Sequence, residues 1–122
     1  MKVIINRSKW LRGTSSPPSF LVRYSDGMLC CLGFLGVACG IEQEAMIGRT
    51  SPSDVFGHFH KWPKGTFLDN CHQLGTTKSY LNGTTIISII KNNDDPSISD
   101  DLREVLISND FAHLGVEVTF ED

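Results

Sequence analysis

Met28–Gly40 reads MLCCLGFLGVACG, and the fold turns on whether this run is a helix and what surrounds it. Apolar or small residues fall on every face at helical spacing, the pattern of a helix enclosed by protein on nearly all sides. Ser25 or Asp26 stands where an N-cap is wanted, and Gly40 suits the left-handed residue past a helix end, so the sequence predicts a helix over Met28 to Cys39. The run is broken by Gly33 and Gly36 and is far short of the roughly 20 residues that cross a bilayer. A buried helix is therefore expected at the centre of the domain, with Gly33, Gly36 and Gly40 letting neighbouring backbone approach.

Such a helix needs elements to cover it. Lys2–Asn6 (KVIIN) and Phe20–Tyr24 (FLVRY) are short β-prone runs, and Val116–Phe120 alternates Val116, Val118 and Phe120 with Glu117 and Thr119. Ser8–Arg12 reads as a helical turn ended by Gly13, and Gly13–Ser19 (GTSSPPS) as a loop that its prolines keep out of helix and central strand. Thr84–Asn92 (TTIISIIKN) fits one helical face despite its β-branching. Ser97 with Asp100 three residues on forms a capping-box-like start for a helix near Ile98 to Ser108. From Ile41 to Tyr80 no period persists beyond a short helical start at Ser51 to Ser53. The expectation is one α+β domain over residues 1–122: a small mixed sheet packed around a central buried helix, with a long irregular central loop.

Charge is unevenly spread. Before Asp26 stand five cations (Lys2, Arg7, Lys9, Arg12, Arg23) and no acid, whereas from Asn93 onward nine acids face only Arg103. This polarity either steers a charged partner or draws the two ends of the chain together. The chain is acidic overall, with a net charge of −3 and no basic recognition helix, so duplex DNA is not an expected partner. The N-terminus lacks a secretory pattern and the apolar runs are short, so a cytoplasmic, non-membrane protein with its four cysteines as thiols is expected.

Three groupings have chemical potential. Adjacent Cys30 and Cys31 in a first helical turn are candidate nucleophiles, with His58, His60 or His72 as base and Asn92, Asn93 or Asp94 to orient it. Their apolar surroundings equally suit inert packing. His58, His60, Cys71 and His72 are ligand types that zinc accepts, at a spacing that matches no standard knuckle. Asn6–Gly13 (NRSKWLRG) sets Arg7, Lys9 and Arg12 around Trp10. Those cations suit phosphate or carboxylate, and the indole suits stacking on a base. The other reading has Trp10 and Leu11 anchoring the core while the cations pair with the acidic C-terminal segment.

INRSKWLRG (5–13), YSDGMLCCLGFLGVACG (24–40) and the acidic ending from Asn92 resemble small accessory proteins encoded by bacteriophages and prophages. The resemblance implies a setting, the cytoplasm of an infected bacterium, and no catalytic residues. It implies binding in the service of infection: capture of an anionic, nucleotide-derived host immune signal. The ligand set would be Arg7, Lys9, Trp10 and Arg12, with Arg23 or Arg49 and the central loop closing over it. Such a pocket is often built between identical subunits. Neither cofactor nor catalytic group is expected. The alternatives are inhibition of a host or defence protein, through the acidic C-terminal surface or a loop bearing Phe56, Phe59 and Trp62, and a cysteine-dependent hydrolase.

Overall fold

A β-branched run at each end of the chain closes the fold. In the computed structural model, which describes residues 1–14, 19–55, 57–63 and 77–122 (backbone alone at 59 and 77–84), β1 (Lys2–Asn6) pairs in parallel with β2 (Glu117–Glu121). The register sets Val3 beside Val118 and Ile5 beside Phe120. Val3 and Ile5 are buried while Lys2 and Ile4 on the other face are exposed, so period-two alternation divides core from solvent in the strand that the sequence predicts.

Between the strands lie α1 (Cys31–Ala38), α2 (Gln43–Met46), α3 (Thr77–Asp94) and α4 (Asp100–His113), with single 3-10 turns at Arg7–Lys9, Pro52–Asp54 and Phe59–Lys61. The architecture is α+β. α1 packs against β1 and α3, and α4 against α3 and β2. Cys31, Leu32 and Leu35 of α1 are wholly buried among Leu21, Met46, Ile89, Ile107 and Phe111, which makes α1 the central helix expected.

Its glycines are steric necessities. A Cβ on Gly33 would run into the carbonyl of Leu21, and one on Gly36 would meet Met46 Sδ and stand 2.9 Å from Trp62. The exits of α1 and α4 each use a glycine in the left-handed region, Gly40 (φ 84°) and Gly115. At the end of α4, Gly115 (φ 75°) lets its own N–H reach Ala112 O (3.0 Å) and the Val116 N–H reach Phe111 O (3.0 Å), which turns the chain straight into β2.

Five expectations need correction. Phe20–Tyr24 is not a strand: Leu21 N–H donates to Arg49 O and Arg23 N–H to Met28 O, while Val22 makes only an isolated bridge to Ile47, so its backbone groups are spent on loops. The sheet among the described residues is therefore two-stranded and parallel rather than mixed. α1 begins at Cys31 instead of Met28, because Ser25 and Asp26 are engaged in the turn before it, where Asp26 accepts from Met28 N–H and from Arg23. α3 starts at Thr77, well before Thr84, and α4 runs on to His113, because Phe111 is wholly buried and extends the apolar face beyond Ile107.

Candidate functional site

The candidate cations lie at the end of β1. Asn6 caps the 3-10 turn by accepting from Ser8 N–H (3.0 Å), and this turn aims Arg7 toward the other end of the chain. Arg7 donates in two-pronged fashion to Glu104 (Nε to Oε2 and Nη2 to Oε1, both 2.8 Å) and to Asp122 (2.9 Å). Both carboxylates hold its pKa above the ordinary arginine value, the Glu104 hydrogen bonds most of all. Arg12 donates to the carbonyls of Arg7 and Trp10 (3.1 Å each), lies 4.6 Å over the indole of Trp10 and stands 3.3 Å from Asp100. Arg12, with Arg103 behind it, holds the Asp100 carboxyl below the usual carboxylate range.

Trp10 does not face outward. It is 1% exposed, tilted against Phe120 at 5.3 Å between ring centroids, and its Nε1–H donates to Asn93 Oδ1 (2.8 Å). A base has no access to that ring, so the expected stacking residue is a core residue. Lys9 is exposed, Arg23 is held by Asp26 in its own turn, and Arg49 is exposed at a backbone crossing with Leu21. The structure thus ties Arg7 and Arg12 to α4 and β2 and Arg23 to residues 23–28, rather than gathering the six around a common pocket.

The residue that sequence reasoning undervalued is Asn93. It is 1% exposed at the end of α3. Its Oδ1 accepts from Trp10 Nε1 and from the Cys31 N–H (3.1 Å), the first free amide of α1, and its Nδ2 donates to Leu11 O and Asp94 Oδ1 (3.0 Å each). No residue of α1 supplies a side-chain cap; Asn93 does so from another helix. Buried Arg103 completes the junction by donating to the carbonyls of Asn92 (2.8 Å), Asn93 (3.1 Å) and Ile98 (3.2 Å), a cation at the negative end of α3.

The thiols lie deep. Burial pushes Cys30 up to about 12 and Cys31 well above the ordinary thiol value. Burial outweighs what the start of α1 offers a thiolate, so both stay protonated at neutral pH. The Asn93 side chain, one of the proposed orienting groups, is occupied by Trp10, Cys31, Leu11 and Asp94. Cys71 and His72 lie outside the described residues, and no group of three or more metal-ligating side chains is assembled among the described ones. Of the expected contact loop, Phe56 lies outside the described residues and Trp62 is buried against Gly36 of α1.

Two depressions among the described residues lie elsewhere, between α4 and β2. One depression, of ≈ 370 Å³, is lined by Asp101, Glu104, Val105, Ser108, Asn109 and Phe120. A second, of ≈ 510 Å³, is lined by Ser108, Ala112 and Val118 together with Met1, Lys2 and Glu117. They meet at Ser108 to form a furrow along the outer face of α4. Val105 is 56% exposed within it and Leu102, one helical step away, 46%. Asp101 and Glu117 are exposed along its rim. None of the six expected ligand residues lines either depression.

Comparison of the chain with family models, characterised proteins and solved structures finds no match. No helix among the described residues is long and apolar enough to cross a membrane. The site therefore has to be read from its own chemistry: an acidic, partly apolar furrow beside the last strand.

Proposed function

We propose that the chain is a non-catalytic binding protein that engages a protein partner through the acidic α4–β2 face, inside the infected bacterium that its resemblance to phage accessory proteins implies. The observation that carries this reading is the furrow itself, where exposed Val105 and half-buried Phe120 lie among carboxylates. An apolar floor with a charged rim is the usual composition of a protein-contact surface. It is a poor composition for an anion, which Asp101, Glu104 and Glu117 repel and which finds Lys2 as the one side-chain cation in the lining of the two depressions. Capture of a nucleotide signal draws less support, because Trp10 is enclosed and Arg7 and Arg12 already hold carboxylates of the same chain.

The test is retention of a bacterial protein by the immobilised chain, set against the variant Asp101→Lys with Val105→Lys. Both positions are exposed, so the variant folds. The expected result is one protein retained by the wild type at near-equal molar amount and at least tenfold less by the variant. Equal retention by both, no retention by either, or binding heat with cyclic nucleotides or ADP-ribose derivatives in calorimetry overturns the reading.

A further inference from the structure

We infer that the outer edge of β2 is a strand-addition site, at which an extended basic segment of the partner joins the sheet as a third strand. This rests on the α4–β2 face being the protein-contact surface and specifies how the contact is made.

Backbone direction gives the first step. The Glu117 N–H donates to Met1 O at 2.9 Å, so it points at β1. Successive residues of a strand turn their N–H and C=O to opposite sides, hence Thr119 and Glu121 also face β1 while Val118 and Phe120 turn theirs outward. No strand among the described residues pairs with that edge. Two N–H and two C=O groups are thus aligned and, among the described residues, unpaired, the arrangement on which strand addition depends.

Side-chain burial favours the same edge. On β1 the core-facing Val3 and Ile5 are buried almost completely, whereas their register mates Val118 and Phe120 are only half-buried although they point to the same core. The core is covered at β1 and incomplete at β2. A further strand would lay apolar side chains over Val118 and Phe120, against the α4 wall at Val105.

Charge selects the occupant. Glu117 and Glu121 are exposed on the opposite face of β2, where they would stand directly beside the outward side chains of a third strand. Opposite charges across strands stabilise and like charges destabilise. A segment alternating Val or Ile inward with Lys or Arg outward fits both faces. A second copy of β2 does not, since antiparallel pairing would bring Glu117 and Glu121 against their own kind.

The probe is a seven-residue peptide alternating Lys and Val, titrated into the isotopically labelled full chain, with a Glu–Val peptide as control. The expected result is that amide exchange of Val118 and Phe120 slows at least tenfold while that of Thr119 changes little. Binding should weaken at least tenfold with Val118→Pro, which removes an outward N–H and leaves the pairing to β1. Should Val118→Pro fail to fold, the exchange measurement on the wild type decides alone. Unchanged exchange at saturation, no binding, equal binding of the Glu–Val peptide, or concentration-dependent dimers that protect the same amides each overturn the inference. If the inference fails while Asp101→Lys with Val105→Lys still abolishes partner retention, the mode of contact is wrong and the face is right. If that retention is also unaffected, both readings fall.

Discussion

Replacing Asn93 by alanine tests what holds the three parts of the core together. The side chain is buried and its hydrogen bonds reach Trp10 after β1, Cys31 at the start of α1, Leu11 in the intervening loop and neighbouring Asp94. Alanine removes all four and leaves three groups without a partner: the indole N–H, the first amide of α1 and the carbonyl of Leu11. Asp94 keeps a second donor in the Ser19 N–H. A buried polar group left unsatisfied costs about 1–3 kcal/mol. Allowing for water entering the space vacated by the amide, the loss should be about 3–5 kcal/mol. That is a large part of the 5–15 kcal/mol typical of a domain. Urea unfolding followed by tryptophan fluorescence measures it through the midpoint, with the m-value as control for a changed unfolded state. A loss below about 1 kcal/mol would refute the idea that Asn93 ties the helix start to β1. Combining Asn93→Leu with Trp10→Phe should recover part of the loss, because both polar partners are then removed together.

Gly33→Ala should destabilise by about 1 kcal/mol in the same assay, since a Cβ there meets rigid backbone at Leu21 and overpacking of about 1–3 kcal/mol outweighs the roughly 1 kcal/mol gained in helix propensity; Gly36→Ala should cost less, its principal obstacle being the flexible end of Met46. The Asp26 carboxyl should titrate at about 2 instead of 3.8, chiefly through its hydrogen bond from Arg23. The stability it contributes is complete above about pH 4 and lost as pH falls toward 2, and carbon-13 titration of Arg23→Ala should move the midpoint up toward the ordinary value, the hydrogen bond from Met28 N–H still holding it somewhat low. Cys30 and Cys31 should resist iodoacetamide at pH 7 in the folded chain and react once urea unfolds it; rapid alkylation of the native protein would revive a nucleophilic role.

Much of the fold was legible wherever one local rule governed a segment. KVIIN has no strong competitor to a strand, and the apolar run from Cys31 onward has no polar face to present to water. Phe20–Tyr24 misled because β-propensity reports suitability for a half-buried pleated surface, and here that surface is made by single crossings with Arg49, Met28 and Ile47. The start of α1 was misplaced because its cap comes from Asn93, 62 residues away in sequence, and no local pattern announces such a partner.

The candidate site was less legible for a related reason. NRSKWLRG contains the groups of an anion pocket, and the sequence does not say whether its cations meet a ligand or the acids of the same chain. The uneven charge was the clue. It brings the two ends together, with Arg7 on Glu104 and Asp122 and β1 beside β2. The α4–β2 furrow has no motif at all, because it arises from the parallel pairing of the first and last strands and from what that pairing leaves uncovered.

The openness of the β2 edge is the claim on which the account of binding rests, and amide hydrogen exchange of the free chain tests it most directly. The account predicts slow exchange at Glu117, Thr119 and Glu121, whose N–H groups face β1, and fast exchange at Val118 and Phe120 between them. Strong protection of Val118 and Phe120 in the free protein would contradict it, by showing that the edge is already occupied.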